Sequence, residues 1–216
     1  MRRRLMMGKE IGAECPYITD GLIFWLDGLS VDSNSLWVEK IGGRRFSLSD
    51  CIKQNDGVAF NGSTSYGVCN AENFTGETIE AAFSNNDTAN ACSIFSQLSE
   101  NGNNNIILLR SQTGIIYTRA VNHTIQQCIY PKLSKEIVSA LSDGSYAVVN
   151  GNAAQISTGD KSPLAGAGQL YLGQQPSGAW KLNGVIHSIR VYNRKLSQEE
   201  MIANQHIDNV RFNMGL

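Results

Sequence analysis

The sequence predicts an all-β fold, an antiparallel two-sheet sandwich that finishes with one short helix. Three observations predict it. Apolar or alternating runs recur about every 8–12 residues along almost the whole chain. The breaks between them are built from glycine and asparagine rather than proline, with 21 Gly against 4 Pro. The stretch GVIHSIRVYNRKLSQEEM, residues 184–201, then changes from a period of two to a capped helix start.

Taken in order, residues 1–18 read as an N-terminal arm, basic at Arg2, Arg3 and Arg4 and without periodicity, and residues 19–212 as one domain. From Gly21 the pattern is β. GLIFWL is a short apolar strand and RFSLS (45–49) an alternating one; GVAF runs into the turn NGSTS, and YGV follows. ETIEAAF (77–83), CSIFSQL (92–98), NIILLR (105–110) and GIIYTRA (114–120) continue the series. In KEIVSALSDGSYAVVNGNAAQIS, Asp143-Gly144 and Asn150-Gly151 are both two-residue turn signals of the I′ class, which needs positive φ at both central positions. Strands near 135–142, 145–149 and 152–157 therefore form a meander. TGDKSPLAGAG reads as a linker, and QLYLGQ as the strand after it.

In the terminal stretch, strand alternation puts Val185, His187, Ile189 and Val191 on one face and Ile186, Ser188, Arg190 and Tyr192 on the other. Ser197 and Glu200 have the spacing of a capping box, in which the serine hydroxyl accepts from the N–H of Glu200 and the carboxylate returns to the N–H of Ser197. Leu196 and Met201 make the accompanying hydrophobic staple, and the helix, about 197–205, is expected to plug the sandwich or cover an edge.

Composition excludes several classes. With 42% hydrophobic and 17% charged residues the chain can bury a core, and a net charge of −1 argues against nucleic acid as the main partner. The apolar run after the basic start, Leu5 to Met7, is too short for a secretory signal of roughly 7–15 residues, and no run approaches the roughly 20 needed to span a bilayer. Synthesis in the cytoplasm, without membrane insertion, is the expectation. Cysteines at 15, 51, 69, 92 and 128 form no C-x-x-C and read as small buried side chains. Four N-x-[ST] matches, at Asn61, Asn73, Asn86 and Asn122, read as chance in an asparagine-rich chain.

The blocks GLIFWLDG, GVAFNGSTSYGV, TIEAAF, SDGSYAVVNGNAA, LYLGQ and GVIHSIRVYNRKLSQEEM, in this order, resemble a laminin-G-like, concanavalin A-like jelly roll over about residues 20–210. The last block is the most specific, being similar to the terminal strand and helix of bacterial and phage members. The resemblance implies two packed antiparallel sheets of six or seven strands, used to bind glycans or to hold a larger assembly on a cell surface. The start MRRRLMMG also resembles the basic leaders of small tail-associated proteins of phages and prophages. Ala82 or Phe83, and Ile137 or Val138, stand where the family often has tryptophan, and His187 where an acidic residue is common. No ligand set is therefore carried over.

The enzyme reading fails on spacing. A retaining glycosidase needs two carboxyl groups about 5–5.5 Å apart, whereas Glu77 and Glu80 are three apart and fall on opposite strand faces. His123, His187 and His206 lie in no nucleophile motif, and His187 reads as a satisfied core histidine. GAGQLYLG lacks the third glycine and the helix of a dinucleotide loop. Calcium, the cofactor this fold could take at its rim, has candidates in Asp27 and the loop SNNDTAN, where Asx-type turns are the competing reading.

Sugar sites pair an aromatic platform with amide side chains. Trp25 reads as core and Trp37 is open; Trp180, in the turn PSGAWKLNG, is a candidate platform whose family counterpart packs inward. Asn101, Asn103 and Asn104 in SENGNNNI, with Asn86 and Asp87, are candidate hydrogen-bonding groups, or simply loop tips. The expected function is a non-catalytic carbohydrate-binding or adhesion module, plausible in a phage or prophage tail, with a polysaccharide, a glycan or another surface or tail protein as partner. A structural protein-binding module is the alternative, and a lectin-fold glycoside hydrolase the third.

Overall fold

A computed structural model describes residues 15–70, 74–98, 105–110, 115–121, 124–129, 131–142, 145–156, 164–166 and 168–216. Its strands are β1 (Leu22–Asp27), β2 (Leu36–Val38), β3 (Arg45–Ser49), β4 (Ile52–Lys53), β5 (Val58–Asn61), β6 (Tyr66–Asn70), β7 (Phe74–Gly76), β8 (Thr78–Asn85) and β9 (Cys92–Leu98). There follow β10 (Asn105–Arg110), β11 (Ile115–Val121), β12 (Thr124–Ile129), β13 (Lys135–Leu141), β14 (Ala147–Val149), β15 (Asn152–Ile156), β16 (Leu164–Gly166), β17 (Gln169–Leu172) and β18 (Asn183–Tyr192), and then the helix α1 (Gln198–Arg211).

The predicted antiparallel sandwich is present. One layer runs β15-β14-β13-β8-β18-β5-β4, with β1 also on β18, and the other runs β2-β3-β6-β17-β9-β10-β11-β12. Pairing of β12 with β15, Cys128 opposite Ile156, joins the two layers along one side. Between them Phe24 of β1 packs against Phe46 and Phe95 of the opposite layer, with ring centroids 6.0 and 5.5 Å apart. Trp25 is core as expected, and Trp37 is fully buried, its Nε1 donating to the Asp27 carbonyl at 3.2 Å. Cys51, Cys69 and Cys92 are buried free thiols; Cys15 is half-buried.

The Asn150-Gly151 turn has φ of 50° and 77°, which matches the I′ expectation. Asp143-Gly144 lies outside the described residues. The reading misses β2, β4, β7 and β16 because two or three residues are too few to display alternation. β16, inside the stretch that reads as a linker, pairs with β7. β12 escapes because Gln126 and Gln127 interrupt its apolar pattern.

Burial separates the two layers. In β3, β6 and β17 every second residue is buried and the rest face solvent, as a half-covered sheet requires. In β8, β13, β14 and β18 nearly every residue is buried, because α1 lies over the outer face of that layer. The helix is thus a cover for a sheet face rather than for an edge, and its 14 residues exceed the expected span.

The face assignment in β18 needs correction. A β-bulge lies between Ile186, opposite Phe83, and Ser188, opposite Ala82. The extra residue reverses the alternation, so Ile186, Ile189 and Val191 join the core. Ser188, Arg190 and Tyr192 lie beneath α1, where polar groups meet polar groups. Arg190 Nη1 and Nη2 donate to Asp208 at 2.9 and 2.6 Å, and its Nε donates to Glu80 at 2.9 Å. Asn204 donates to Glu80 and to the Tyr192 hydroxyl, and Gln205 to Ser139 and the Val148 carbonyl. His187, at the bulge, is 5% exposed, with Nδ1 2.8 Å from the Asp56 carbonyl and its ring stacked on Phe212. It is a satisfied core histidine.

Residues at the end of the expected arm pack here as well. The Tyr17 hydroxyl donates to Asp208 at 2.7 Å, and the Ile18 N–H donates to Asn204.

The capping box is formed: the Glu200 N–H donates to Ser197 Oγ at 3.3 Å and the Ser197 N–H to the Glu200 carboxylate at 2.9 Å. Leu196 and Met201 are buried in one cluster, completing the staple. Hydrogen bonds from Arg194, and then from the Ser197 N–H, hold the Glu200 carboxyl down at about 2. A lowered carboxyl stabilises the fold above its ordinary value of 4.5, and that contribution is lost as the pH falls through about 2. Ser197→Ala is expected to lose about 0.5–2 kcal/mol and still melt cooperatively. Thermal melts of Glu200→Gln should approach those of the wild type as the pH falls through the same window.

Candidate functional site

At one end of the sandwich four loops meet. The turn 61–65 is organised by Asn61, whose Oδ1 accepts from the N–H groups of Ser63, Thr64 and Ser65. In loop 86–91 the Asp87 Oδ1 accepts from the N–H groups of Ala89 and Asn90 at 3.0 and 3.1 Å, and Oδ2 accepts from Asn90 Nδ2 at 2.7 Å. These bonds, that of the Asn90 side chain first, hold the Asp87 carboxyl below its ordinary value. Lys132 Nζ donates to the carbonyls of Asp87 and Asn90, which fastens loop 131–134 to loop 86–91.

The fourth loop, 173–182, carries Trp180. It is bound to its neighbours through the backbone: Ser93 N–H to the Trp180 carbonyl at 2.7 Å, Asn86 N–H to the Asn183 carbonyl at 2.7 Å, and Gly62 N–H to the Leu182 carbonyl at 2.9 Å. Lys181 Nζ donates to the Ser63 carbonyl.

Trp180 does not pack inward, the position the resemblance implied for it; it is 45% exposed. Within its loop the Gln175 N–H donates to the Ala179 carbonyl and the Gly178 N–H to that of Gln175, a tight turn that leads into Trp180 at φ 52°. Leu182, two residues on, is fully buried. A bulky residue at positive φ is strained, and such strain persists where surrounding bonds over-determine it.

Of the candidate residues, the structure thus brings Trp180, Asn86 and Asp87 onto one rim. Asn86 is exposed, and its side-chain amide has no hydrogen-bond partner among the described residues. Asp87 is committed to its own loop. Asn101, Asn103 and Asn104 lie outside the described residues.

Beneath the rim is a pair that the sequence reading missed. Arg110 of β10 donates through Nε and Nη2 to the two Glu136 oxygens, both at 2.6 Å, with both side chains fully buried. Nη2 also donates to the Pro131 carbonyl, and Glu136 accepts from the Leu133 N–H, so the pair ties loop 131–134 to both layers. The available signal was a charged residue bordering each apolar run, Arg110 at the end of NIILLR and Glu136 near the start of KEIVSAL.

The calcium candidates do not fit an ion. Both Asp27 oxygens accept from Arg211 Nη2 at 3.0 Å, and Asp87 accepts three N–H groups, so the oxygens a cation would need already face hydrogens. Among the described residues no three His, Cys, Asp or Glu side chains converge as metal ligands. Glu80 is fully buried beneath α1, and burial pushes its carboxyl up against the opposing pull of Arg190. Glu77 lies outside β8, its N–H and carbonyl paired with Tyr192 and Ser142.

The chain is similar in structure to Trypanosoma rangeli sialidase, with a TM-score of 0.66 and 14% identity over 88% of this chain and 33% of that one. The same sialidase in complex with the inhibitor DANA gives 0.65 and 15%, over 87% and 33%. A mutant of HCR/D gives 0.61 and 12%, over 87% and 52%. The chain therefore spans a third of the sialidase and about half of HCR/D, and at these identities the likeness is one of fold. No curated protein sequence matches it. A family model described as the concanavalin A-like lectin/glucanases superfamily, of the laminin-G type, matches residues 61–201, from the Asn61 turn through β18 to the first turn of α1. The chain belongs to that superfamily.

Proposed function

We propose that the chain is a non-catalytic glycan-binding module whose ligand stacks on Trp180 and hydrogen-bonds to Asn86 at the loop rim. The observation that carries this reading is the exposed indole, held at positive φ by a loop stitched to its neighbours. A sugar presents apolar C–H faces and paired hydroxyls, which an aromatic face beside an open amide satisfies. Membership of a lectin and glucanase superfamily supports a sugar-related role.

The test is a glycan array followed by calorimetry on the best binder. Trp180→Ala is expected to weaken binding about tenfold at an unchanged melting temperature. An unchanged affinity would remove the rim from the reading. The absence of catalysis is supported by the burial of Glu80. Incubation with β-glucan, xylan or peptidoglycan is expected to release no reducing ends; steady turnover lost in Glu77→Gln or Glu80→Gln would overturn that part.

The setting we propose is a phage or prophage tail, supported by the resemblance of MRRRLMMG to tail-protein leaders; neighbouring tail genes would test it. A protein partner is the second reading, favoured by the exposed Leu29, Ile52 and Val210, and a silent glycan array would put it first.

A further inference from the structure

Among the described residues no element lies over the outer face of β3, β6 and β17, whose outward side chains are exposed or half-buried, unlike those of the opposite layer. Register places its side chains in rows. Ser47, Val68 and Tyr171 stand side by side, with Ser96 next to Tyr171. In the next row Asn70 is opposite Gln169, and the β3–β6 register carried two residues further sets Arg45 opposite Asn70.

The groups are already partly ordered. The Tyr171 hydroxyl donates to Gln169 Oε1 at 2.6 Å, and Gln169 Nε2 donates to Asn70 Oδ1 at 3.2 Å. That chain leaves the Asn70 N–H groups beside Arg45. Arg45 is exposed and makes no ion pair among the described residues. None of the outward positions of β3, β6 and β17 is acidic. One end of the face is therefore rich in donors and positively charged, and the other is aromatic. Beyond Tyr171, the Ser96 hydroxyl donates to the Gln174 carbonyl at 2.8 Å, so loop 173–182 bounds the face on that side.

We propose that this face is a second binding site, separate from the Trp180 rim, for a uronic-acid polysaccharide. A pyranose ring lies on Tyr171 and Val68, and its carboxylate meets Arg45 and Asn70. β3 and β17 are two strand spacings apart, about 10 Å, the length of a disaccharide. A uronate carries its carboxylate at the edge of its ring, so the ring can lie on Tyr171 and Val68 while the carboxylate reaches toward Arg45. A sialic acid, with its carboxylate on a branched carbon and its glycerol tail, needs a concave site. Guanidinium–carboxylate bonds are charge-assisted and give the site its sign preference.

The experiment is affinity electrophoresis of the full chain through gels containing polygalacturonate, polysialic acid or dextran. The wild type is expected to be retarded by polygalacturonate and not by dextran, with the retardation falling as salt rises. Arg45→Ala and Tyr171→Ala are each expected to lose about tenfold in affinity. A loss of polygalacturonate binding in Trp180→Ala equal to that in Arg45→Ala would move the uronate to the rim and overturn the proposal. Lys53→Ala removes one exposed positive charge on the other layer and should change nothing. Retardation by dextran, preference for polysialic acid, an unaffected Arg45→Ala or an equal loss in Lys53→Ala would each overturn the proposal. So would the absence of polygalacturonate binding. All four substitutions are at exposed or half-buried positions, and an unchanged melting temperature shows that the loss is one of binding.

Discussion

A fragment ending at Asn183 is expected to show no cooperative unfolding transition. β18 is hydrogen-bonded to β1, β5 and β8, so its removal takes partners from three strands at once. Ile186, Ile189 and Val191 leave the main core, and Tyr192, Leu196 and Met201 leave the second cluster. Each fully buried apolar side chain is worth about 1.5–3 kcal/mol, against a total stability of roughly 5–15 kcal/mol for a domain. Losing six of them, about 9–18 kcal/mol, is as large as the whole reserve. Glu80 is left without Arg190 and Asn204, and β8 becomes an open edge. Circular dichroism melts and gel filtration of residues 1–183 test this. A soluble fragment that melts cooperatively would show the terminal strand and helix to be an appendage.

Arg190→Ala is expected to be the most damaging single substitution, at about 3–5 kcal/mol in urea unfolding. The guanidinium lies wholly buried between Asp208 and Glu80, 3.9 Å from the centre of the Tyr17 ring. Its removal leaves the buried carboxylates of Glu80 and Asp208 without the guanidinium that pairs them, which costs far more than losing the attraction itself. Burial already pushes the Glu80 carboxyl up, and without Arg190 the largest opposing pull is gone, leaving the Ser139 hydrogen bond. A carboxyl raised in the folded state favours folding below its ordinary value of 4.5 and costs stability as the pH rises above it. The deficit of Arg190→Ala should therefore shrink as the pH is lowered. Replacing the triad together, Arg190→Met with Glu80→Gln and Asp208→Asn, should recover much of the loss. A triple variant as unstable as Arg190→Ala would mean that shape, not charge, governs this layer.

The amino-acid order alone determined the antiparallel β class, the Asn150-Gly151 turn and the Ser197–Glu200 cap. Each is governed by residues close in the chain: a period of two, a pair that tolerates positive φ, two side chains three apart. It also marked Trp180, Asn86 and Asp87 as candidates from residue type.

Only the tertiary structure decided which way these side chains face. A single inserted residue at the β18 bulge reverses every position after Ile186, and nothing in GVIHSIRVY distinguishes a bulged strand from a regular one. Trp180 faces outward because the turn before it sets a left-handed backbone that no periodicity records. The ion pairs Arg110–Glu136 and Arg190–Glu80 join residues 26 and 110 positions apart. The rim, the open face beside Arg45 and the layer beneath α1 all depend on which strands become neighbours. That is set by burial of the whole core, not by any stretch of chain read on its own.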